Sequence, residues 1–215
     1  DSGDIPYPIL TFAALLPWIF FQESASQGIN SVTSNAPLIK KIYFPREVFP
    51  LTAMVTKLVE LIISFIILGG MMVYYNMVPT IYALWVPAII LYTMLVALTI
   101  SFFGAALNVY YRDVAQALPV ALSLLMYGSP VIYPLNLVHK KLIVEQAAGE
   151  WSNDIYTLYT LNPLAGIIDS FQTVLLKGLA PDLNAIYPGL FLTLAILPLS
   201  YLFFKRAENW FADVI

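Results

Sequence analysis

Apolar residues run along this chain in five long blocks, at about 9–33, 52–78, 80–109, 114–134 and 183–204, separated by short stretches rich in charge, proline or asparagine. About 20 predominantly apolar residues are enough to cross the hydrocarbon core of a bilayer as a helix. The pattern predicts an all-α integral membrane protein, a helical bundle of five spans forming a single domain over residues 1–215. The connection between the second and third blocks, Asn76-Met77-Val78-Pro79-Thr80, is very short, and no internal repeat is visible at the level of residue identity.

The first block is apolar only from Ile9 to Phe21 and then turns polar, Gln22-Glu23-Ser24-Ala25-Ser26-Gln27-Gly28-Ile29-Asn30-Ser31. Lipid cannot solvate such a face. This half therefore packs against other helices through small residues and interhelical hydrogen bonds, or it lines a wet cavity. Both place the first helix at the centre of the bundle. Residues 155–178 are apolar enough to pass for a further crossing. Asn162-Pro163 makes a good N-cap and first turn, however, and Lys177-Gly178 a good ending. The helix between them, about 15 residues or roughly 22 Å, is short for a span, and Asp169, Gln172 and Thr173 give it a polar side. It is expected to be re-entrant or interfacial on the outer side.

Composition agrees with the pattern: 60% of residues are hydrophobic and 11% charged, where soluble domains carry about a quarter charged. With no cysteine, disulfides and thiolate metal sites are excluded, and His139 and the scattered acids have no metal-ligand spacing. Lys and Arg accumulate in cytoplasmic connections. With the amino terminus outside, Lys40, Lys41, Arg46, Arg112, Lys205 and Arg206 fall inside, Lys140, Lys141 and Lys177 outside, and Lys57 within a span. Lys57 and Glu60, spaced i, i+3 near the inner end of the second span, read as a neutralised structural pair or as part of a proton relay.

Between the first two blocks, residues 35–50 contain Pro37, Pro45 and Pro50, with Lys40, Lys41 and Arg46 alternating with Leu38, Ile39, Ile42, Tyr43 and Phe44. Proline disfavours the helical conformation at the residue before it and breaks a continuing helix. A short cationic, aromatic helix lying across the cytoplasmic face is the expected shape, presented to a soluble partner. Arg112-Asp113, after Tyr110-Tyr111, is either a charged helix cap or a second contact at that face. Trp18, Phe20, Phe21, Tyr127 and Tyr133 are candidates for a sugar-stacking path, the competing reading being the interfacial aromatic belt. The chain has no G-x-x-x-x-G-K-[ST] phosphate loop, so any ATP that drives it must be bound by another subunit. An integral membrane enzyme is disfavoured, because Glu23, Glu60, Asp113 and Asp169 are far apart in sequence and His139 stands alone.

Four segments in order, Leu38-Ile39-Lys40-Lys41-Ile42-Tyr43-Phe44-Pro45-Arg46-Glu47, Asn108-Val109-Tyr110-Tyr111-Arg112-Asp113-Val114, Ser129-Pro130-Val131-Ile132-Tyr133-Pro134 and Leu161-Asn162-Pro163-Leu164-Ala165-Gly166, resemble the membrane subunits of bacterial polysaccharide ABC exporters, closest to the O-antigen and teichoic-acid permease group. The likeness loosens at 139–155 and does not reach the family's amino-terminal cytoplasmic helix and first membrane helix, so the intact subunit is expected to have six spans. The resemblance implies a homodimeric permease of the inner membrane working with two copies of an ATP-binding subunit, which would hold ATP and Mg, while this chain would need no cofactor and no nucleic acid. It implies that Leu38, Lys40, Lys41, Tyr43, Phe44, Arg46 and Glu47 form the coupling helix, with Arg112 and Asp113 as the other inner connection. Pro130, Pro134, Asn162, Pro163 and Asp169 would belong to the outer gate, and the aromatics above would line the path of an undecaprenyl-linked glycan. A related exporter of drugs or lipids is the alternative within transport.

Overall fold

The computed structural model describes residues 5–41, 44–131 and 133–211, and every described regular element is helical. Helix α1 (Tyr7–Ser34) leads through the one-turn α2 (Ala36–Ile39) to α3 (Val48–Tyr74). A 3₁₀ turn (Ile81–Trp85) runs into α4 (Val86–Tyr110), followed by α5 (Asp113–Tyr127). The short α6 (Leu135–His139) and a π turn (Lys140–Val144) precede α7 (Ser152–Thr160). Then come α8 (Pro163–Gln172), continued by a second π turn (Thr173–Lys177), and α9 (Leu183–Glu208). Among the described residues, four segments are long and apolar enough to cross a membrane: α1, α3, Ile81–Tyr110 and α9.

α1 is the hub, packed on α3 along one side and α4 along the other. Small residues bring α1 and α4 together: a methyl group added at Gly28 would run into Ser101, and one at Gly104 would sit 2.5 Å from Ile29 Cδ1. The polar half of α1 thus packs in part against α4, as small-residue contacts predict. α3 and α9 instead turn broad apolar faces outward, with Ile62, Ile66 and Ile67 on α3 and Phe191 and Leu199 on α9.

The expected fourth span, at 114–134, is shorter than predicted. α5 stops at Tyr127, ahead of Gly128-Ser129-Pro130, and its 15 residues rise only about 22 Å. The missing depth is filled from the other side. α7 and α8 form a helical hairpin whose tip, Asn162-Pro163, lies against Gly189 of α9 and meets the end of α5. Gly189 is six residues into α9, about 9 Å from its start. That depth and the rise of α5 together match the roughly 30 Å hydrocarbon thickness. Leu164 through Leu176 are all buried, so α8 is a core element of the bundle end opposite the elbow, packed on α1, α4 and α9. The segment closes at Gly178, whose φ of +63° suits a residue without a Cβ.

α8 approaches α9 so closely that an added methyl at Gly166 would fall 2.5 Å from the Ala185 carbonyl oxygen. Gly166→Leu is expected to force the hairpin off α9, costing about 3 kcal/mol by over-packing. The readout is a lower melting temperature of the detergent-purified protein, and an unchanged melting temperature would contradict this packing.

Candidate functional site

The basic elbow is assembled at one end of the bundle from α2, the start of α3 and the end of α9. Asn35 Nδ2 donates to the Ser31 carbonyl at 2.7 Å, and Pro37 is the second residue of the single turn that follows. Ile39 is buried in an inner core with Val32, Val109, Phe204 and Phe211, which anchors the elbow to α1, α4 and α9. Leu38, Lys40, Lys41 and Phe44 then face outward, Leu38 being 42% and Phe44 43% exposed. Two expected contact residues turn inward instead. The Arg46 amide donates to Glu208 Oε1 at 3.3 Å and its guanidinium lies 5.8 Å over the Phe211 ring. Glu47 is held by Lys205 Nζ at 2.6 Å, and Lys205 also reaches Glu208 at 2.9 Å. Tyr43 and Ile42 lie outside the described residues.

Burial alone would raise the Glu47 carboxyl, but the hydrogen bond and charge of Lys205 outweigh it and leave it below its ordinary value. Since the folded value is the lower one, this clasp contributes in full above the ordinary carboxylate range. The contribution is lost as pH falls through the folded value.

Arg112 and Asp113 are exposed in the tight turn between α4 and α5, at the same end. The side chain beneath that turn is Asn108, which the sequence marks only as part of a motif. Its Nδ2 donates to the Ile29 carbonyl at 3.2 Å and its Oδ1 accepts from the Ala115 amide at 3.3 Å. One buried amide thereby pins α1 to α4 and caps the first turn of α5.

At the opposite end, Asn162 joins the hairpin tip to α5. Its Oδ1 accepts from the Leu164 amide at 3.1 Å, capping α8, while its Nδ2 donates to Ser129 Oγ at 2.9 Å. Pro130 is buried beside this joint, and Pro134 precedes the first residue of α6. The Tyr133 hydroxyl donates to the Tyr127 carbonyl at 3.1 Å and accepts from the Tyr159 hydroxyl at 3.3 Å. Asp169 lies inside the α8 core at 6% exposure, with one carboxylate oxygen unpartnered among the described residues.

The aromatic candidates separate. Trp18 and Phe21 are fully buried, 5.8 Å apart, in the core that surrounds α8, and Phe20 is buried in a second cluster with Leu16, Met54 and Leu61. Tyr127 is 70% exposed on a face of α5 shared with Val120 and Leu124. Tyr133 is half-buried by the hydrogen-bonded hairpin. The structure does not gather these five rings along one surface. Lys57, placed near the inner end of α3 on sequence grounds, is nine residues and so roughly 14 Å into the helix. It has a partner that spacing on one helix could not reveal: Glu23 of α1 at 3.5 Å, besides Glu60 at 2.6 Å.

The described residues form a helical bundle with four membrane-length apolar segments, a charged elbow at one end and a buried helical hairpin at the other, the form of a multi-pass membrane protein. The chain belongs to the family of ABC-2 type transporters, whose model matches residues 2–146. It is similar to the O-antigen export system permease protein RfbA of Myxococcus xanthus, 25% identical over 209 residues that cover 97% of this chain and 76% of the relative. A permease of the same name from Klebsiella pneumoniae is 27% identical over 212 residues, with the same coverage.

Because Trp18 is enclosed, Trp18→Ala is expected to lower folded membrane yield and transport together, by about 3–5 kcal/mol of stability. Transport per folded molecule lost with stability intact would contradict the core assignment.

Proposed function

We propose that this chain is the permease subunit of an ATP-driven exporter that moves a lipid-linked polysaccharide, of O-antigen or teichoic-acid type, across the bacterial inner membrane. Two copies of the permease would work with two copies of an ATP-binding subunit that carries ATP and Mg. The observation that carries this reading is the likeness to O-antigen export permeases over 97% of the chain. These residues contain no phosphate loop, which supports a nucleotide-binding partner, and the elbow has the form of a partner contact. Leu38 and Phe44 offer apolar anchors and Lys40 and Lys41 exposed cations, while the inward groups Ile39, Arg46 and Glu47 join this surface rigidly to α9. Arg112 and Asp113 form a second exposed contact at the same face. Movement of the partner would be transmitted to α1, α3 and α9 together. At the outer end, Pro130, Pro134, Asn162, Pro163 and Asp169 belong to the hairpin and its joint with α5, which would act as the gate.

The two classes of elbow residue give a discriminating test. Replacing Lys40 and Lys41 together by Glu should weaken association with the ATP-binding subunit at least tenfold, or about 1.4 kcal/mol, without changing folded yield. Arg46→Glu should lower yield as well, since it breaks the packing on Phe211. Co-purification and polysaccharide export measure the outcome. Normal association and export in the Lys40/Lys41 double variant would reject the elbow as the docking surface. Intact drug efflux with no glycan export by the native protein would favour the related class of exporter.

A further inference from the structure

The inner halves of α1 and α3 part to leave a cleft of about 530 Å³, and its lining has a pattern. On α1, Glu23, Gln27, Asn30 and Ser34 recur at spacings of four, three and four, which puts them in one stripe. On α3, Thr52, Thr56 and Glu60 recur every four residues. Gln27, Asn30 and Ser34 share the cleft with Thr52 and Thr56, and Phe44 and Phe49 of the elbow stand at its inner mouth. One turn farther from the elbow, Glu23 and Glu60 converge on the buried Lys57. Beyond them the groove becomes apolar, lined by Phe12, Leu16, Ile19 and Leu61.

Hydrocarbon cannot solvate these amides and hydroxyls, and Gln27, Ser34, Thr52 and Thr56 are exposed. A polar occupant suits the cleft, and the charge at its end away from the elbow narrows the choice. Two carboxylates face one ammonium, leaving one net negative charge. Glu23 and Glu60 are 42% and 56% exposed, so their free oxygens accept hydrogen bonds but repel phosphate or carboxylate. Amide, hydroxyl and carboxylate groups together are suited to a neutral polyol.

Resting on the export reading above, we propose that the α1–α3 cleft is an intake subsite for uncharged sugar units of the polymer, entered from the cytosolic end beside the elbow. Hydroxyls of the sugar donate to Glu23 and Glu60 and exchange hydrogen bonds with Gln27, Asn30 and Thr56. The anionic lipid linkage stays outside. Seated against Phe44 and Phe49, the sugar would lie within reach of the motion delivered to the elbow.

A photo-crosslinking residue placed at Thr56 in cells exporting their own glycan tests this directly. The probe is the cells' own polysaccharide, detected on the permease by periodate oxidation of its diols. Crosslinked glycan at Thr56 is expected to exceed that at the lipid-facing Ile66 at least fivefold, and Glu23→Gln with Glu60→Gln should reduce it severalfold at equal permease level. Crosslinks from Thr56 only to lipid, or only to a second copy of this chain, while export continues would overturn the subsite and leave the export function standing. Absence of glycan export by the native protein would instead remove the reading beneath it. Gln27→Leu with Asn30→Leu supplies a second measurement: roughly tenfold slower export at unchanged folded yield is expected, and unchanged export would also overturn the proposal.

Discussion

A backbone amide or carbonyl in hydrocarbon has no water to bind, so every break in a membrane helix must be answered by another part of the protein. The joint between Ser129 and Asn162 is where this constraint acts most strongly. α5 stops before the far side, and the hairpin tip that meets it is itself a helix start with amides in need of acceptors. Asn162 serves both ends: its carbonyl oxygen caps α8 and its amide binds the Ser129 hydroxyl. Around that joint, a helix too short to cross the membrane is buried on all sides. Trp18, Phe21 and Phe171 fill the space it would otherwise leave. This half of the bundle is thus closed by packing, and α8 and the end of α5 are joined through Asn162.

The inner end is built differently. Its joints are ionic and aromatic: Lys205 between Glu47 and Glu208, Arg46 over Phe211, and Asn108 under the α4–α5 turn. Such contacts are directional and fix the elbow relative to α9 and α4. A surface proposed to receive force must not yield on its own, and among the described elbow residues Leu38, Lys40, Lys41 and Phe44 are exposed on it. Between the two ends, the polar cleft of α1 and α3 opens beside the elbow, so that the proposed coupling surface and the candidate sugar contacts are neighbours.

Much of this is legible in the residues. Long apolar blocks mark the helices of the bundle, and Asn162-Pro163 and Lys177-Gly178 mark the ends of the re-entrant segment, because caps are local chemistry. Hydropathy over-extends α5 because it does not register that Gly128-Ser129-Pro130 ends a helix. Trp18 and Phe21 show a different limit: an aromatic that stacks on a ligand and one that fills a core have the same sequence signature, and only neighbours on α8 distinguish them. Arg46 and Glu47 read as outward-facing because their partners, Phe211 and Lys205, lie 158 or more residues away in the chain. The stripe from Glu23 to Ser34 is discoverable by its spacing. Its meaning depends on the facing stripe of α3, which no single-helix pattern supplies.

The account depends most on α7 and α8 entering and leaving the membrane on one side. The chain contains no cysteine, so single cysteines can be placed at Glu150 and Ala180, which flank the hairpin, and at Lys41 on the elbow, and labelled in intact cells with a membrane-impermeant maleimide. Labelling at 150 and 180 from outside, with 41 reached only after the inner face is exposed, is the predicted result. Positions 150 and 180 reacting from opposite sides would make α8 a crossing helix and contradict the architecture.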